Sequence, residues 1–169
     1  MTLPEPWRKL CLTVHVVTSV GVFGADLSLL ALGAASVTGA DPVTIYPAAR
    51  LVGAWLVAPL AIMALVTGLA LGLLTRWGLF TYWWVTIKLA IVMVLTAAVL
   101  FVLVPALGAT ADAVTGATPQ LSARQRLPLL IAPAVASALL AVAVALAVFK
   151  PSWRLWPSGT DKADASLRG

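Results

Sequence analysis

Four apolar stretches, residues 10–33, 51–74, 83–107 and 127–149, run for 23 to 25 residues each and together hold 96 of the 169 residues. A helix rising about 1.5 Å per residue needs about 20 such residues to cross a hydrocarbon core about 30 Å thick. In lipid a spanning segment must satisfy its own backbone, so only helices and closed barrels are viable. No stretch alternates strictly between apolar and polar residues, which argues against a barrel. The fold expected is all-α: a bundle of four transmembrane helices.

Composition agrees. The chain is 62% hydrophobic and 10% charged, far from both soluble and disordered proteins. The connections, residues 34–50, 75–82 and 108–126, are 17, 8 and 19 residues long, too short for a further domain. Within them, Asp41-Pro42 reads as a helix start, and Ser122 with Gln125 has capping-box spacing. Residues 1–9 form a cytoplasmic start, and in the tail 150–169 the polar stretch 157–169 is expected to fray. The first apolar segment is too long for the core of a cleavable signal peptide, so it is read as a true span.

Charge sets the orientation. Arg8, Lys9, Arg76, Lys88, Lys150, Arg154, Lys162 and Arg168 fall on one side, and Arg50, Arg124 and Arg126 on the other. Eight against three places both termini in the cytoplasm. Six of the seven tryptophans (7, 77, 83, 84, 153 and 156) lie at the same interface, with Trp55 toward the other.

Three ionisable residues fall inside the spans, where each is costly: His15, Asp26 and Lys88. By helical rise His15, Thr67 and Lys88 lie about 8 to 10 Å from the cytoplasmic edge and can share a layer. Asp26 lies about 16 Å beyond them. Arg50, at the outer start of the second span, is its expected partner. His15 and Asp26 are eleven residues apart and so share a face with Thr18 and Ser19. Pro59 and Pro133 each free a carbonyl at the depth of Asp26. The stripe reads either as a proton, ion or quinol path or as a polar seam that locks packing. Gly68/Gly72, Gly21/Ala25 and Gly24/Ser28 have small-residue spacing, read as close packing within the chain.

Metal chemistry lacks ligands. The chain has one cysteine, Cys11, and one histidine, so no disulfide can form within it, and zinc-finger, iron–sulfur and metalloprotease readings lack ligands. A b-type haem would need a second axial ligand, for which Met63, Met93 or His15 of a second copy are the candidates. No cofactor is required by these residues.

Two stretches carry a resemblance: Leu12-Thr13-Val14-His15 leading to Ser19-Val20-Gly21, and Leu65-Val66-Thr67-Gly68 leading to Trp77-Gly78-Leu79-Phe80, Tyr82-Trp83-Trp84-Val85 and Lys88-Leu89. The chain resembles, over the first three spans, an uncharacterised family of small four-helix integral membrane proteins from actinobacteria. It departs from the family's pattern at Val22, Thr81 and Tyr82. The resemblance implies a bacterial plasma membrane and four helices, and singles out His15, Thr67 and Lys88; it implies no activity. The function expected is a non-enzymatic membrane module or accessory subunit, with the bilayer as partner, a second copy or a membrane complex as further partners, and no nucleic acid. The alternatives are a proton-coupled or small-solute transporter acting as an oligomer through Asp26 and His15, and a quinone- or haem-binding redox protein.

Overall fold

A computed structural model describes residues 4–74, 83–116 and 121–149. It contains six α-helices: α1 (Glu5–Val37), α2 (Pro42–Val52), α3 (Ala58–Leu74), α4 (Trp83–Ala98), α5 (Val104–Val114) and α6 (Ala123–Phe149). Five-residue π-helical segments, Gly53–Val57 and Val99–Leu103, join α2 to α3 and α4 to α5. The result is four continuous helices long and apolar enough to cross a membrane. Neighbours in sequence pack side by side, and α6 closes the bundle against α1. Large apolar side chains such as Phe101, Val94 and Val102 cover its outside, as a lipid-facing surface requires. Arg76, Lys150, Arg154, Lys162, Arg168, Trp77, Trp153, Trp156, the tail and the Trp-Gly-Leu-Phe motif lie outside the described residues, as do the side chains of Trp83 and Trp84.

Both π segments end two residues before a proline, Pro59 and Pro105. A proline ring clashes with the carbonyl four residues back and supplies no N–H to it. For Pro59 and Pro105 those carbonyls belong to Trp55 and Phe101, each inside a widened turn. The residue before each proline donates five back instead, Ala58 N–H to Gly53 O and Val104 N–H to Val99 O. The helix thus passes its proline by inserting one wide turn, a known position for π-bulges.

The helices run beyond the apolar segments. Asp41 caps α2, accepting from Val43 N at 3.2 Å and from the Thr44 hydroxyl at 3.2 Å. Most of the expected 34–50 connection is therefore helix. Gly39, at φ +105°, follows the C-cap of α1, and Ala40 N–H bonds Ala35 O at 3.0 Å, the six-to-one bond of a Schellman turn. At the fourth helix Gln125 Oε1 accepts from Ser122 N and Oγ, both at 2.9 Å, which is the reach-back half of a capping box. Arg126 crosses to α1 and donates to Ser36 O at 2.8 Å and Ala40 O at 3.3 Å, satisfying carbonyls that a helix C-terminus leaves bare.

Gly33 lets α1 and α6 meet backbone to backbone. A Cβ there would collide with the Leu129 carbonyl oxygen and sit 2.7 Å from its carbon. That carbonyl is the one Pro133 deprives of its helical donor, so the contact fills a gap the proline opens. Around it Leu29, Tyr46, Ala49, Val57, Val114 and Leu129 form a fully buried core, and Tyr46 donates to Gln125 O at 3.3 Å. This end of the bundle is sealed.

Candidate functional site

The opposite half is more open. A cavity of about 80 Å³ lies between the helices and takes walls from all four spans. From α1 it is lined by His15, Ser19, Val22 and Asp26, at spacings of four, three and four residues, which place them on one stripe. From α4 it is lined by Lys88, Val92, Leu95 and Thr96, so Lys88 also stands on an inward stripe. The remaining wall, from α3 and α6, is apolar, with residues such as Ala61, Ala64, Ala136 and Leu140.

His15 is fixed by α3. Its Nδ1 lies 3.1 Å from Ala64 O and 3.1 Å from Thr67 Oγ1. A carbonyl can only accept, so Nδ1 carries a proton and donates. The Thr67 hydroxyl agrees, because it spends its own hydrogen on Met63 O at 2.6 Å and so accepts from the ring. In the neutral ring Nε2 is then the bare acceptor nitrogen. Gly68 makes the room: a Cβ at that position would lie 3.0 Å from His15 Cε1. Cys11, one turn earlier on α1, donates to Thr67 O at 3.8 Å. The expected proximity of His15 and Thr67 is therefore present. Lys88 lines the same cavity as His15, but no hydrogen bond joins the two.

The expected pairing of Asp26 with Arg50 does not occur. Asp26 is buried and its Oδ2 accepts from the Ser137 hydroxyl of α6 at 2.6 Å. Arg50 instead pairs with Asp112 of α5 at 2.7 Å, both side chains well exposed. The reason is helix length. The second span begins at Pro42 and the third continues to Val114, so Asp112, read as loop in the sequence, is a helical neighbour of Arg50. Neither freed proline carbonyl serves Asp26: that of Leu129 is met by Gly33, and that of Trp55 lies in the π turn. Ser137 was missed although it is the only hydroxyl in the apolar segment 127–149; that was the available signal.

Met63 and Met93 are exposed on the outside of the bundle, so neither can reach a group held in its interior beside His15. Among the described residues no three His, Cys, Asp or Glu side chains cluster as metal ligands. Of the small-residue pairs, Gly21 packs on Leu60, whose Cδ1 would lie 3.2 Å from a Cβ added at position 21, whereas a Cβ added at Gly24 would meet nothing within 4 Å. Comparisons with protein-family models, with curated proteins and with solved structures find no match for the chain.

Proposed function

We propose that the chain is a non-enzymatic module of a bacterial plasma membrane, with both termini in the cytoplasm, whose chamber admits water or a small solute from the cytoplasmic side as far as Asp26. The observation that carries this reading is the cavity, with His15 and Lys88 toward one end, Asp26 at the other and Ser19 between them. Empty protein cavities are apolar, whereas waters need about 10 to 15 Å³ each and two to four polar partners. At about 80 Å³ the space suits a short file of waters or one small molecule. It is small beside the several hundred Å³ typical of sites for cofactor-sized ligands, which weighs against the quinone or haem alternative. The eight-to-three charge bias and the family resemblance support the membrane and the orientation.

Ser19 provides the test, because it lines the chamber and its hydroxyl makes no hydrogen bond among the described residues. In a Cys11→Ala background, Ser19→Cys is expected to react with a membrane-impermeant thiosulfonate in inside-out vesicles and not in right-side-out ones. A thiol unreactive from both sides would mean a closed seam, leaving His15 and Asp26 as packing residues.

A further inference from the structure

We propose that His15 and Lys88 form a binding site for a small monocarboxylic acid, taken up as the anion together with one proton. The proposal rests on the open chamber argued above and names what it holds. Lys88 stands on the inward stripe of α4, half-buried, and among the described residues no carboxylate lies within ion-pair distance of it. Asp26 is eleven residues further along α1 than His15, about 16 Å away in depth. An unpaired ammonium withdrawn from water is costly, and an anion brought from outside relieves that cost.

His15 narrows the class of anion. Its Nδ1 is held as a donor by Ala64 O and Thr67 Oγ1, so the neutral ring offers Nε2 as an acceptor toward a ligand. Ammonium donor and imine acceptor together match a carboxyl group, which presents one carbonyl oxygen and one hydroxyl. Carboxylic acid against neutral imidazole, or carboxylate against imidazolium, have the same composition. Either way RCOO⁻ and one H⁺ leave the water, and no other bond changes. The other groups facing the ring do not interfere. From α3 it meets Ala64, Thr67 and Gly68, none of them charged. The chamber wall contributed by α6 is apolar, and Cys11 on α1 is bonded to Thr67 O. Size sets the rest: about 80 Å³ accommodates an acetate-sized acid, its methyl group against residues such as Val22 and Ala61.

The test is calorimetric titration of the full chain in nanodiscs with sodium acetate, in two buffers of different ionisation heat. The expected result is one site with about one proton taken up per acetate, and an affinity that weakens about tenfold per pH unit on the alkaline side, since mass action with one proton has that slope. Lys88→Gln should weaken binding about tenfold or more, and His15→Gln should abolish the proton uptake. The proton count on the unaltered protein needs no variant to fold. No binding of acetate in a protein whose Ser19→Cys thiol is labelled overturns the carboxylate site and leaves the open chamber standing; an unlabelled thiol overturns both. Equal binding of chloride overturns the carboxyl class, and tighter binding of octanoate than of acetate overturns the small size in favour of a lipid-derived acid.

Discussion

Gly68 and His15 show how much the site depends on single atoms. The imidazole is held through Nδ1 by two acceptors and packs closely over position 68, where a Cβ would lie 3.0 Å from its Cε1. Gly68→Ala forces the ring or α3 to yield by a few tenths of an ångström, at the expense of a hydrogen bond worth about 1 kcal/mol. We expect a fall of a few degrees in the melting temperature in detergent and faster acylation of His15 by diethyl pyrocarbonate; an unchanged rate would show the ring is not pinned. His15 is the only histidine, so nitrogen NMR reads its tautomer without assignment. At mildly alkaline pH the spectrum should show a protonated Nδ1 and a bare Nε2. The Thr-Gly pair and the histidine were visible in the sequence, because buried polar atoms in a span demand partners. The partner of Asp26 was not. Rotation about the helix axis decides whether Ser137 or Arg50 meets it, and depth alone cannot supply that angle.

At the scale of helices, apolar length gave the number of spans, since the bilayer thickness imposes it. It did not give their ends. Caps at Asp41, Gly39 and Ser122 carry the helices out of the apolar zone, and the run of α5 on to Val114 brings Asp112 to Arg50. Prolines likewise signalled irregularity but not its form: before Pro59 and Pro105 the chain widens into a π turn, whereas at Pro133 a glycine of the next helix fills the gap. This explains why two glycines on α1 should respond differently to the same change. Gly33→Ala drives a methyl into the Leu129 backbone, which cannot swing aside as a side chain can. It should destabilise by about 1 to 3 kcal/mol or more and lower the melting temperature accordingly. Gly24→Ala meets open space and should be neutral or slightly stabilising, since alanine is the better helix former by about 1 kcal/mol. Equal effects at the two positions would show that α1 and α6 are not in backbone contact.

The whole molecule has two unlike ends. One is sealed by the buried core around Leu29, Tyr46 and Val57, by the Gly33 contact and by Arg126 on the C-terminus of α1. The other holds His15 and Lys88, toward one end of the chamber. An even number of spans places both termini on one side, whichever side that is. The charge count supports the proposed cytoplasmic side, and the three opposing cations temper it less than their number suggests. Arg126 bonds backbone carbonyls and Arg50 bonds Asp112, so two of the three have a structural reason to stand where they do. Fusing a fluorescent protein that matures only in the cytoplasm to the C-terminus should therefore give full fluorescence, and fusing alkaline phosphatase there should give no activity. The same phosphatase fused within the connection after Val114 should be active. An active C-terminal phosphatase would invert the bundle, turn the chamber mouth to the outside and reverse the sidedness expected for Ser19→Cys labelling. The fusion and labelling results must therefore agree in sign, and disagreement between them would mean that the chamber opens at the end the core is seen to seal.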